Sequence, residues 1–203
     1  MKLFNLIWVL ALAGAVAACN SGLPITGEPP PPMAGSGGNG GSTGNGGTGG
    51  AIEGKCTTAE NEAVYAELEY TNGKGEMSSG TDASSAIGSE CVRGSVSSVP
   101  PVGGCGTETF AVIACFPNCP DPVVQALADC VAQCTGDTIE DITGMRLSED
   151  CLECTGATVA CGAVFCTSQC VADTTAQICI DCRCDNDCTP EFVICSGIPS
   201  DDC

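Results

Sequence analysis

Cysteine constrains this chain more than any other residue: 19 of its 203 residues are cysteine, and none is histidine. Above about 8–10% of a short exported chain, cysteine is the composition of a scaffold stapled by disulfides. The missing histidine removes whole classes of chemistry. A Ser-His-Asp triad, a Cys-His pair, His-ligated zinc and haem on a proximal His all need an imidazole.

Whether the thiols are oxidised depends on the compartment, and the first residues bear on that. Met1 to Ala18 has a basic start at Lys2, an apolar run from Leu3 to Ala13 and small residues before Cys19, the pattern of an export signal. The run is shorter than the roughly 20 residues that cross a bilayer, and no later segment approaches that length, so no transmembrane helix is expected.

Val16-Ala17-Ala18-Cys19 resembles the lipobox of bacterial lipoproteins. The resemblance implies that residues 1–18 are cut away, that the Cys19 thiol becomes a thioether to diacylglycerol, and that the new amino group is acylated. Two or three chains of the palmitate class, at about 0.8 kcal/mol per buried CH₂, anchor a protein for good. The chain is then a cell-envelope protein on the inner or outer membrane, with its domain outside the cytoplasm. The alternative is an ordinary cleaved signal that leaves Cys19 as one more half-cystine. Parity favours the lipid: with Cys19 taken from the 19, an even 18 remain, enough for nine disulfides.

Residues 19–54 form a lipid-anchored tether by composition. Pro29 to Pro32 make a short stiff spacer, and Gly35 to Gly50 is built almost wholly from Gly, Asn, Ser and Thr. Together they read as disordered and reach about 30 Å root-mean-square. Residues 55–203 are enough for one domain, but aromatic residues are few and Ala and Val dominate. A thin core leaves disulfides, at ~2–4 kcal/mol each, to supply stability that burial does not.

Helical signals outnumber strand signals. Thr57 with Glu60 reads as a capping box, Asp121-Pro122 opens an apolar run from Val123 to Cys134, and Ser148 precedes Glu149 and Asp150. Thr189-Pro190-Glu191 reads as a helix start that Gly197 closes. Met77 to Gly104, rich in Ser, Gly and Pro, reads as loop with a short strand at most. The expected fold is small, disulfide-rich and mainly α, with short helices linked by disulfides and long loops.

The half-cystines are Cys56, Cys91, Cys105, Cys115, Cys119, Cys130, Cys134, Cys151, Cys154, Cys161, Cys166, Cys170, Cys179, Cys182, Cys184, Cys188, Cys195 and Cys203. Spacing leaves their pairing open. Cys115-x3-Cys119 and Cys130-x3-Cys134 have the form of a hairpin clipped twice, while a competing hairpin pairs Cys130 and Cys134 with Cys154 and Cys151. Cys154 and Cys161 repeat the seven-residue spacing of Cys188 and Cys195, which puts each pair on one helix face. In a reducing compartment Cys179, Cys182, Cys184 and Cys188 would have the spacing of thiolate metal ligands. Export turns that reading into the alternative, behind structural disulfides, so no cofactor is expected.

With 25 acidic residues against 6 basic ones the net charge is −19. Nucleic acid is excluded as a partner, since phosphate contacts need clustered Lys and Arg. The acidic groups Asp137-Glu140-Asp141, Glu149-Asp150-Glu153 and Asp201-Asp202 sit near helix starts or at the chain end. Helix dipoles and solvation account for them there better than paired catalytic carboxylates or calcium do.

Leu147-Ser148-Glu149-Asp150-Cys151-Leu152-Glu153-Cys154, Val159-Ala160-Cys161-Gly162, Cys166-x3-Cys170 and Cys188-Thr189-Pro190-Glu191-Phe192, ending in Cys195-Ser196-Gly197, together resemble the cysteine-rich lipoproteins of myxobacteria and related bacteria. The likeness covers about a quarter of the chain, and the family carries no assigned activity. These features lead to the expectation of a non-enzymatic module on a membrane anchor, binding an unknown protein or glycan or serving structurally. The alternative is an extracytoplasmic thiolate metal-binding or redox protein.

Overall fold

The computed structural model describes residues 54–94 and 98–203. The expected signal, Cys19 and the tether up to residue 53 lie outside the described residues. Among those described, the chain is mainly helical and disulfide-rich: α1 (Ala59–Glu67), β1 (Glu69–Thr71), β2 (Met77–Ser79), α2 (Gly80–Arg93), α3 (Gly106–Cys115), α4 (Asp121–Thr143), α5 (Glu149–Phe165), α6 (Thr167–Cys170), α7 (Gln177–Asp185) and α8 (Cys188–Ser196). None of these helices is long and apolar enough to cross a membrane.

The centre is the antiparallel pair α4 and α5, joined by a short link and more closely packed than any other two elements. The expected run on α4 extends to Thr143, because Leu127, Val131, Thr135 and Ile139 continue one buried stripe at four-residue spacing. Gly144 then ends the helix in the left-handed region, at φ 72°. α5 begins as its residues foretell: the Ser148 hydroxyl accepts from the Cys151 amide at 3.4 Å. Close approach of the two helices depends on Gly156. A Cβ there would lie 2.2 Å from the Ala128 carbonyl oxygen on α4.

Two helix starts are corrected by one residue or more. Thr58, not Thr57, caps α1, accepting from the Asn61 amide at 3.3 Å, because the Thr57 hydroxyl is engaged with Gly54 at 3.1 Å. α8 begins at Cys188 behind Asp187, and the Thr189 hydroxyl accepts from Arg183 at 3.1 Å instead of capping. Gly197 closes α8 at φ 74°, as expected.

The larger correction is α2, which occupies what reads as loop. β1 and β2 form a hairpin with Glu69 opposite Ser79, so the short strand is present, but residues 80–93 are helical. Ala83, Ile87 and Cys91 are buried at four-residue spacing, and Gly94 ends the helix at φ 65°. The small residues that suggest loop are packing residues. A Cβ on Gly88 would meet Val159 Cγ2 at 3.2 Å, so the lack of a side chain lets α2 lie close to α5.

All 18 described cysteines are paired. Cys91–Cys134 and Cys105–Cys130 bind α2 and the start of α3 to α4, while Cys115–Cys119 closes a local loop. Cys56–Cys151 ties the start of the domain to α5 across 95 residues. Cys154–Cys195 and Cys161–Cys188 clip α5 to α8, Cys166–Cys182 and Cys170–Cys179 clip the α6 region to α7, and Cys184–Cys203 holds the C-terminus. Neither hairpin considered for Cys130 and Cys134 is present. The seven-residue repeat instead supplies both sides of one antiparallel clip, first cysteine to last.

Asn61, 1% exposed, joins three segments. Its Nδ2 donates to the Lys55 carbonyl and to Ser148 Oγ, both at 3.0 Å, and its Oδ1 accepts from the Ser148 amide at 2.9 Å. Asn61→Ala would leave the half-buried Ser148 groups without their partner, beside an empty space. It is expected to lower stability by about 2–3 kcal/mol, read from the shift of the urea unfolding curve with disulfides intact.

Candidate functional site

Beside the helical centre lies a cavity of about 570 Å³. Its lining includes Ser85, Ser89, Val92 and Arg93 of α2; Thr109, Phe110 and Ile113 of α3; Thr158, Val159 and Ala163 of α5; and Phe192 of α8 with Ile198. α3 puts only Val112 into the core and leaves Phe110 71% and Ile113 55% exposed. A helix so apolar with one buried residue has surface to offer.

Serines and threonines are common in the lining, yet many of their hydroxyls are already used. Thr109 donates to the Val92 carbonyl at 3.0 Å, Thr158 to the Cys188 carbonyl at 2.9 Å, Thr155 to the Cys151 carbonyl at 3.3 Å, and Thr167 to the Ala163 carbonyl. A hydroxyl that has given its proton to a main-chain carbonyl can only accept from a ligand. The cavity therefore offers fewer free donors than its composition suggests, and its size is that of pockets that hold small molecules.

A second, more polar cavity of about 680 Å³ lies against the β1–β2 hairpin and shares Ser89, Arg93 and Arg183 with the first. On its wall, buried Glu90 accepts from Tyr70 Oη at 2.5 Å and from the Gly73 amide at 2.6 Å. Burial first, and the Glu90 hydrogen bond second, push the Tyr70 phenol above its usual range. Burial alone dominates at Tyr65, a lining residue of the apolar cavity, and pushes it up to about 12. Both phenols stay neutral through the physiological range and act there as packing groups and donors.

Most of the acidic residues in the clusters face basic side chains. Asp137, Glu140 and Glu149 converge on Arg146 at 2.6, 3.7 and 3.3 Å, and the Asp137 hydrogen bond is the main cause of its raised pKa. Asp150 and Glu153 face Lys55 at 4.0 and 3.4 Å, and Asp202 faces Arg183 at 3.5 Å. Hydrogen bonds from the Thr175 amide and hydroxyl, with Lys74 at 3.8 Å, hold the Asp173 carboxyl below its usual range. These exposed pairs each contribute little to stability.

Cys179, Cys182, Cys184 and Cys188 are not brought together. Each bonds to a different partner, respectively Cys170, Cys166, Cys203 and Cys161. Among the described residues no group of three cysteines, aspartates or glutamates is arranged to hold a metal ion. Sequence reasoning missed the groove altogether. The exposed apolar side chains of α3 carried the only hint, in the run Phe110-Ala111-Val112-Ile113. No protein-family model matches the chain, and neither a curated protein nor a solved structure matches it.

Proposed function

We propose that this chain is a non-enzymatic, lipid-anchored binding module of the cell envelope that receives an apolar ligand or segment in the groove between α2, α3, α5 and α8. The observation that carries this reading is the groove itself, with Phe110 and Ile113 exposed on a helix that buries one side chain. Nine disulfides fit an oxidising compartment outside the cytoplasm. Anchoring through Cys19 rests on the lipobox resemblance and the cysteine parity. Of the partner classes open from sequence, an apolar segment suits the lining better than a glycan, because Phe110 and Ile113 offer exposed apolar surface and several threonines have already given their protons to main-chain carbonyls.

The test is titration of the oxidised protein with an environment-sensitive apolar dye. Saturable binding of one dye per chain is expected, weakened about a hundredfold or more by Phe110→Ser with Ile113→Ser, since each large apolar side chain contributes about 1.5–3 kcal/mol when covered and every 1.4 kcal/mol is tenfold in affinity. Both residues are exposed, so the variant folds as the parent does. A parent that binds no dye, or a variant that binds as tightly, sinks the proposal.

A further inference from the structure

Resting on the groove reading, we infer that the ligand has an apolar body and a single anionic head, a carboxylate of fatty-acid type, whose head is taken by Arg93. Five basic side chains lie among the described residues, and Lys55, Lys74, Arg146 and Arg183 are each within 4.0 Å of a carboxylate oxygen. Arg93 is the fifth and makes no ion pair there. With 25 acidic residues in the chain, a guanidinium that has no carboxylate partner among the described residues is an exception that random placement does not favour.

The carboxylates around Arg93 are committed elsewhere. Glu90 is buried and receives Tyr70 and Gly73; Asp173, which feels the Arg93 charge without forming an ion pair with it, is held by Thr175 and Lys74; Asp202 faces Arg183. Asp82 lines the same cavity but stands eleven residues back along α2, about 16 Å away at the helical rise. Among the described residues Arg93 makes one hydrogen bond, a long 3.4 Å one from its Nε to the Ser89 carbonyl, which leaves the rest of the guanidinium fork uncommitted there. That fork suits the two oxygens of a carboxylate.

Position supplies the second half of the argument. Arg93 lines the apolar cavity together with Val92, Phe110, Ile113 and Val159, so a head bound at the guanidinium can lay its tail along them. The net charge of −19 opposes an approaching anion, but exposed charges are screened beyond about 8 Å at physiological salt. Uptake is therefore driven by the tail, at about fourfold per buried CH₂, and selected by the head. Dodecanol would have the tail without the head, and dodecyltrimethylammonium would carry the wrong one.

The experiment compares dodecanoate, dodecanol and dodecyltrimethylammonium, each below its micelle concentration, by calorimetry on the oxidised full chain. Dodecanoate is expected to bind at least tenfold more tightly than either analogue. Arg93→Gln is expected to bring it down to the level of dodecanol while leaving dodecanol unchanged, and Arg93→Lys to retain part of the preference. Equal binding of dodecanoate and dodecanol by the parent overturns the inference but leaves the groove reading in place. So does a preference that survives Arg93→Gln or disappears instead with Arg183→Gln. If none of the three binds, the groove reading fails as well.

Discussion

Replacing Cys56 and Cys151 together by alanine is expected to destabilise the domain by about 4–5 kcal/mol, whereas the same change at Cys115 and Cys119 should cost about 2. The difference follows from loop length. The first bond closes 95 residues and the second only 4, and the entropy a cross-link removes from the unfolded chain grows with the logarithm of that number. Both cysteines of the long link are buried, at 1% and 0% exposure, so its loss also disturbs packing. For a domain whose net stability lies in the usual range of about 5–15 kcal/mol, the first variant loses a large share. Guanidinium unfolding without reductant gives both values. Equal losses in the two variants would show that the links act through local packing and not through the unfolded state.

Gly156→Ala should be nearly as damaging, at about 3 kcal/mol. Its new methyl would stand 2.2 Å from the Ala128 carbonyl oxygen and 3.1 Å from Ala132 Cβ, and the obstacle is main chain, which has no rotamer to change. α4 and α5 must part, and their contact is the widest in the domain. Gly162→Ala on the same helix is the control. The nearest atoms to its added methyl belong to the flexible Arg183 side chain at 4.0 Å, so helix propensity alone should make that variant more stable by a few tenths of a kcal/mol to about 1. Thermal unfolding of the two variants side by side separates the effects. A Gly156→Ala protein as stable as the parent would mean that the helices do not approach as closely as described.

What was legible in the sequence was local. Ser148 before two acids, Asp121-Pro122 before an apolar run and Gly197 after Ile194-Cys195-Ser196 each act on the backbone within a turn, so a reader of residues finds them. α2 escaped because Ser84 and Gly88 break helices when exposed yet allow close approach when buried, and burial is not written in composition. Disulfide pairing escaped for a related reason. The repeat formed by Cys154, Cys161, Cys188 and Cys195 was visible, but its meaning depends on α5 and α8 running in opposite directions side by side. The groove was the least legible feature, because its shortage of free donors comes from threonine hydroxyls turned onto carbonyls of distant segments, such as Thr158 onto Cys188.

The way the chain enters the domain has a mechanical consequence. Lys55 and Cys56 donate main-chain hydrogen bonds to Cys195 and Ser196, and Cys56 is bonded to Cys151 on α5. A pull on residue 54 therefore meets a covalent bond two residues later and passes into the α4–α5 pair, leaving α1 and the hairpin out of the line of force. A domain loaded in this way cannot be unravelled helix by helix from its N-terminal side. Only reduction of the Cys56–Cys151 bond lets the residues between them be drawn out.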